Sequence, residues 1–269
     1  MGNDYMQKNI YEAKVPNKDG SINFSHEENE VWGLLYERQI KLLENRACEE
    51  FVLGAKKLSL SPNTIPQLRD VSAVLNSLTG WGMTPVKALI SFKEFFELLS
   101  QKKFPAATFI RRREDLDYLK EPDIFHEIFG HASMLTDPDF AKFTHKVGVL
   151  GKNMDKEERV MLARLYWFTV EFGLINTKEG IRIFGGGILS SKNETIYSLE
   201  SPIPKRDKFD LIKVLSTSYR YDEMQKQYFI IDSFDEVYEL INQDLRAAFK
   251  EAQKNTLVLS ASETDIRSC

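Results

Sequence analysis

The chain has 269 residues, 42% of them hydrophobic and 28% charged, with a formal net charge of −4. This suits a globular protein with a substantial core, and the charge is too mild to suggest a nucleic-acid partner. No apolar run approaches the ~18 residues of a membrane span, the N-terminus has no apolar signal core, and Cys48 and Cys269 offer no disulfide framework; no membrane association and a cytoplasmic location are expected.

Residues 1–24 are polar and read as a loosely ordered or surface-draped segment, with one domain over 25–269. Ser25 and Glu28 form a capping box that opens a long helix with Val31, Leu34, Leu35 and Leu42 on its apolar face. "SPNTIPQLRD" starts a second helix carrying Leu68, Val71, Leu75 and Leu78, which Gly80 ends. Ser91 and Glu94 open a third over "FKEFFELLSQKK"; Pro105 breaks it, and "AATFIRR" reads as a short strand. The cluster Arg111-Arg112-Arg113, taken alone, reads as a solvated strand end. A helix should run from about Asp123 to Leu135, and Asp137-Pro138 starts the next. Asp155 caps a helix through "EERVMLARLYWFTVEFG", and "IRIFGGGILSS" reads as strand, glycine turn and strand. Asp210 and Asp235 begin further helices, the last reaching about Lys254, and the final "TLVLSASETDIRSC" holds a strand-like run. Val237, Leu240, Ile241, Leu245 and Phe249 can pack on the same domain, and no heptads sustain a coiled coil, so a monomer or homodimer is expected. The expected fold class is α+β, predominantly α-helical, with a few short β-strands.

"DIFHEIFGH" places His126 and His131 five residues apart. The familiar zinc helix spaces its histidines by four. On a regular helix, at about 100° per residue, a spacing of five turns the two rings about 140° apart. Convergence on one metal therefore requires a distorted turn: either a π-type widening, or an opening near Gly130 that lets His131 swing inward. Gly130→Val should then weaken metal binding and leave most of the fold intact. Of the other histidines, His26 lies in a capping region and His145 between Lys142 and Lys146, both expected in solvent. The third ligand is expected to be Glu171, a carboxylate in the apolar run "LYWFTVEFGL"; an ion pair with Arg164 is the alternative. Two histidines and a carboxylate suit a non-haem Fe(II) facial triad. A zinc hydrolase with Glu127 as general base and a non-catalytic helical interaction module remain as other readings.

"EPDIFHEIFGH", "YWFTVEFGL", "TGW" at 79–81, "FIRR" at 109–112 and "GGGILSS" at 185–191 resemble, in order and spacing, the pterin-dependent aromatic amino acid hydroxylases. The likeness spans about residues 75–235 and is greatest to bacterial members that consist of the catalytic domain alone. It implies hydroxylation of L-phenylalanine to L-tyrosine with Fe(II), O2 and tetrahydropterin (tetrahydrobiopterin or a related bacterial pterin); tryptophan or tyrosine hydroxylation is the alternative within the family. It also implies residue roles. His126, His131 and Glu171 would hold iron. Phe95 would stack on the pterin, Tyr166 and Ala163 would line its pocket, Val86, Ala88 and Ile90 would form its wall, and Glu127 would reach the pterin or its waters. Arg111, oriented by Asp123, would grip the substrate carboxylate, as a guanidinium fork can. Pro122, Trp167 and Phe172 would wall the aromatic ring, and Ser190 would support His126. The regulatory domain and tetramer-forming helix of animal members are expected to have no counterpart here, and Leu119-Lys120 departs from their Thr-Pro pair near the substrate.

Overall fold

A computed structural model describes residues 11–86, 90–117 and 121–255. Ala88, Leu119-Lys120, Cys269 and the strand-like run after residue 255 lie outside the described residues. Helix α1 (His26–Leu43) begins at the Ser25 capping box, both halves of which form. Its buried face is Val31, Trp32, Leu35, Gln39 and Leu43, whereas Leu34 is exposed and Leu42 only half-buried. The expected stripe was thus rotated, because the bulky Trp32 is drawn inward. A short helix not foreseen in the sequence, α2 (Glu49–Lys57), follows. Helix α3 (Leu68–Thr79) ends at Gly80, whose φ of 77° is the left-handed conformation that glycine tolerates; Leu78 on it is exposed.

Strand β1 (Gly82–Val86) pairs in parallel with β2 (Lys103–Ala107), and α4 (Phe92–Ser100) is the crossover between them. Pro105 lies inside β2 rather than breaking a helix, and residues 108–112 continue as irregular chain, not as the expected strand. Proline is tolerated in this two-stranded sheet because edge strands do not need every ladder hydrogen bond.

Past β2 the chain enters the centre of the molecule. The helix expected there takes the π-type widening that the His126–His131 spacing calls for, over His126–Ala132, and ends in a 3-10 turn, Met134–Thr136. Helices α5 (Pro138–Asn153) and α6 (Lys156–Tyr166) start at the Asp137 and Asp155 caps, and α6 runs into a second π-helical turn, Trp167–Glu171. Strands β3 (Leu174–Thr177) and β4 (Gly180–Ile183) form an antiparallel pair. The glycines that follow open a short helix, α7 (Gly186–Leu189), where a second strand was expected. After α8 (Lys192–Glu200), β5 (Lys205–Lys208), α9 (Leu211–Ser216) and β6 (Gln227–Ile231) complete a sheet of order β4-β3-β6-β5. The single last helix expected from Asp235 is two, α10 (Phe234–Ile241), capped by Ser233, and α11 (Arg246–Asn255).

One apolar cluster runs from Ile22 to Ala252. Residues 11–24 are tied to the body of the protein: Gln67 exchanges hydrogen bonds with the Ile22 backbone, Thr108 Oγ1 donates to the Lys14 carbonyl, and the Tyr11 ring stacks at 5.0 Å on Phe109, in a small second cluster with Ala107. No helix among the described residues is long and apolar enough to cross a membrane.

Candidate metal centre and active site

The first π turn is set up by Asp123. Its Oδ1 accepts the His126 N–H at 3.1 Å, which satisfies an otherwise unpaired donor at the start of the turn. Its Oδ2 accepts the Arg111 N–H at 3.0 Å. The same carboxylate takes a two-point grip on the Arg111 guanidinium, Nε at 2.8 Å and Nη2 at 3.0 Å. Burial alone would lower the guanidinium's pKa and raise the carboxyl's; their mutual charge outweighs it, holding Arg111 above and Asp123 below their ordinary values. The basic cluster therefore splits. Arg111 is buried, while Arg112 and Arg113 are exposed, Arg113 pairing with Glu30 at 3.0 Å. The solvated reading holds only for the last two.

Widening the turn shifts hydrogen bonding from four residues to five, so residues five apart come onto one face. His126 Nε2 and His131 Nε2 lie 3.0 Å apart. The second π turn, closed by the Phe172 N–H on the Trp167 carbonyl at 2.8 Å, delivers Glu171. Its Oε1 is 2.8 Å from His131 Nε2 and its Oε2 3.7 Å from His126 Nε2. The three donor atoms lie within 4.8 Å of one another. Arg164, the alternative partner for Glu171, instead donates to the Leu215 carbonyl at 2.7 Å. His26 is exposed, with its Nε2 3.4 Å from Glu30. His145 is half-buried rather than in solvent and donates to the Ser100 carbonyl at 3.1 Å.

The hydrogen bonds also fix how His126 presents itself. Ser190 Oγ donates to the Gly186 carbonyl at 2.9 Å. Its single proton thus committed, it accepts from His126 Nδ1 at 2.8 Å. The Nε2 lone pair then faces Glu171 and His131. Burial, with His131 alongside, pushes the His126 imidazole down to about 4, so it is neutral at physiological pH, as a metal ligand must be. Two imidazole nitrogens and a carboxylate aimed at one buried point fit Fe(II), with coordination positions left over.

The triple glycine is the seat of both turns. A Cβ on Gly186 would lie 2.3 Å from the His131 ring, and one on Gly185 2.3 Å from the Glu171 carbonyl oxygen. A Cβ on Gly130 would lie 2.6 Å from the Gly186 carbonyl oxygen, so Gly130→Val would also disturb packing, and the expectation of an otherwise intact fold is withdrawn.

Around this centre, Phe95 on α4 meets Tyr166 edge-on at 4.9 Å, and both are buried beside the buried Ala163. Val86 ends β1 and is half-buried, and Ile90 packs against the core. Glu127 is fully buried. Burial, reinforced by the charge of Glu171, pushes its carboxyl well above the usual range. Trp167 is 4.7 Å from Phe172, and Pro122 is half-buried just before Asp123. Two further residues were not foreseen from the sequence: Tyr219 stacks on Trp167 at 4.2 Å and 13°, and Gln225 Oε1 accepts the Trp167 Nε1–H at 3.0 Å. They lie in "YRYDEMQ", which carries no motif.

Comparison with known proteins agrees with this geometry. The chain is 49% identical over 249 residues to the phenylalanine-4-hydroxylase of Pseudomonas aeruginosa, covering 93% of this chain and 95% of that one. It is 48% identical over 248 residues to the phenylalanine-4-hydroxylase of Vibrio cholerae, covering 92% and 86%. Its fold matches the cold-active phenylalanine hydroxylase of Colwellia psychrerythraea with a TM-score of 0.89 at 49% identity, over 92% and 96% of the two chains. It also matches the Chromobacterium violaceum phenylalanine hydroxylase with bound oxidized Fe(III), at a TM-score of 0.85 and 41% identity, over 90% and 88%. The family model for biopterin-dependent aromatic amino acid hydroxylases matches residues 3–258, and this chain belongs to that family.

Proposed function

We propose that this protein is a phenylalanine 4-monooxygenase that converts L-phenylalanine and O2 to L-tyrosine with Fe(II) and a tetrahydropterin. The observation that carries the reading is the convergence of His126, His131 and Glu171 from two π turns onto one buried point. When bound, iron and pterin supply the electrons that activate dioxygen and deliver one oxygen atom to the ring. The protein's own residues bind, orient and exclude water. Asp123 occupies Nε and Nη2 of Arg111, which leaves Nη1 for the carboxylate of the amino acid. Trp167, Phe172 and Pro122 hold its ring. Phe95, Tyr166 and Ala163, with Val86 and Ile90, form the pterin side, where an aromatic face suits a flat bicyclic ring. Ser190 keeps His126 in the tautomer that offers Nε2 to the metal. Glu127, buried with its carboxyl pushed toward the protonated form, suits hydrogen bonding to the pterin or its waters and is poorly suited to the general-base role a zinc hydrolase would require.

Residues 25–269 are read as the single catalytic domain, acting as a monomer or homodimer in the cytoplasm, where the free buried thiol of Cys48 would persist. The test is anaerobic loading with Fe(II), then turnover with a tetrahydropterin and, separately, phenylalanine, tryptophan and tyrosine. Tyrosine formed from phenylalanine at the highest kcat/KM of the three is the expected result. Activity confined to tryptophan or tyrosine would overturn the substrate assignment.

A further inference from the structure

We propose that Gln225 is a positioning residue that fixes the in-plane orientation of Trp167, and through it the fit of the substrate's aromatic ring; this rests on the reading of Trp167 as a wall of the ring pocket. The Trp167 indole is buried against Phe172 and Tyr219. Stacking partners leave a flat ring free to slide and rotate in its plane, so the one polar handle, Nε1–H, decides where it stops. That handle donates to Gln225 Oε1 at 3.0 Å.

Gln225 is itself only 4% exposed, and its carboxamide is fully used. Nε2 donates to the Arg220 carbonyl at 2.7 Å and to the Glu223 carbonyl at 3.2 Å. Its backbone N–H donates to Glu194 Oε1 at 3.1 Å, the same oxygen that accepts the Tyr228 hydroxyl. The side chain thus joins the second π turn to the backbone of residues 220–223, and the Gln225 backbone N–H ties the same point, through Glu194, to α8. The same loop carries Tyr219, which stacks on the indole. Buried amides this completely satisfied hold a single geometry, because any alternative leaves orphaned polar groups.

The experiment compares the parent, Gln225→Met, Trp167→Phe and the double variant. Met matches Gln in length but cannot accept from the indole or donate to the loop. In iron-loaded protein, Gln225→Met should raise KM for phenylalanine about tenfold, the effect of losing a buried hydrogen bond, with a smaller change in KM for the pterin. In the Trp167→Phe background the same change should add little, because the group through which Gln225 acts is gone. Independently of turnover, the Trp167 indole N–H resonance, assigned by its absence in Trp167→Phe, should lose its exchange protection in Gln225→Met. An unmoved, still protected indole resonance would overturn the proposal whatever the substrate. So would a Gln225→Met effect undiminished in the Trp167→Phe background. If the parent turned over another amino acid, the functional reading would fail while the resonance test still decided this one.

Discussion

The two π turns supply ligands to the same point, yet they are built from opposite materials. The first, "HEIFGHA", contains its own glycine, and its first histidine, His126, is held from outside by Asp123 and Ser190. The second, "WFTVE", is bulky throughout. Its widening is helped by Thr169, whose hydroxyl donates back to the Leu165 carbonyl at 2.6 Å, a competing bond that loosens helices. The space it needs lies across the interface, at Gly185. A functional distortion can thus be carried by its own segment or by the surface it packs on, and here Gly185 and Gly186 serve both turns.

The largest effects should come from removing the ligands. His126→Ala, His131→Ala and Glu171→Ala should each lower iron affinity at least ~100-fold, beyond what is typical for residues that merely support ligands, and abolish turnover. Iron content after dialysis, together with a turnover assay, measures this. His145→Ala is the control, since its Nε2 is engaged with Ser100. Normal iron retention in Glu171→Ala would break the comparison by leaving the second turn without a role at the centre.

Next come the glycines. Gly186→Ala would press a methyl onto the His131 ring, and Gly130→Val would press a branched side chain onto the Gly186 carbonyl. Each should cost roughly 1–3 kcal/mol of stability through overpacking and lower iron affinity as well, seen as a lower denaturant midpoint and lower iron occupancy. A destabilised variant that keeps full iron affinity would show that the seat supports the fold without setting the ligands.

This is also where the sequence was least legible. The i, i+5 spacing of His126 and His131 forces a geometric conclusion, because no regular helix can satisfy it, so the first turn could be read. Nothing comparable marks the second: Glu171 stands out as a carboxylate among aromatics, but the turn that aims it leaves no local pattern. "GGGILSS" resembles a hairpin by local turn chemistry and is a helix because Gly185 and Gly186 let it approach the ligands. The capping residues Ser25, Ser91, Asp155 and Asp210 were readable since capping is local. The burial of Arg111 was invisible to composition, because its partner Asp123 is twelve residues away.

Arg111→Lys should have a more selective effect. Lysine keeps the charge but cannot hold Asp123 by two parallel bonds and still offer a third donor in the same plane. KM for phenylalanine should rise roughly tenfold or more, the range for a charged hydrogen bond, with KM for the pterin little changed. Equal increases in both would mean that the substitution disturbs the first turn through Asp123 rather than the substrate contact.

The smallest expected effect separates the two turns by the charge each can bear. Glu171 faces two histidines, whereas Glu127 is buried where the nearest charge is Glu171 itself. Its folded pKa lies well above the unfolded value of about 4.3. Between those values the folded state binds the extra proton, so this group's contribution is fully present below the unfolded pKa and is lost as pH rises. His126 works in the other direction: with its folded pKa near 4 and an unfolded value of about 6.5, it destabilises the fold as pH falls through that window. The His126 contribution is the same in the parent and in a Glu127→Gln variant, so the difference between the two proteins reports Glu127 alone. Glu127→Gln removes that proton and keeps an acceptor of the same shape. Iron-free Glu127→Gln protein should therefore be more stable than the parent at pH 8 and gain less at pH 6.5, with the parent's excess slope at most about 1.4 kcal/mol per pH unit for one proton. Thermal unfolding of both proteins in the presence of a chelator, from pH 6.5 to 8.5, would show it. Parallel curves would mean that Glu127 is ionised in the folded protein, and that the first turn bears a buried charge as readily as the second.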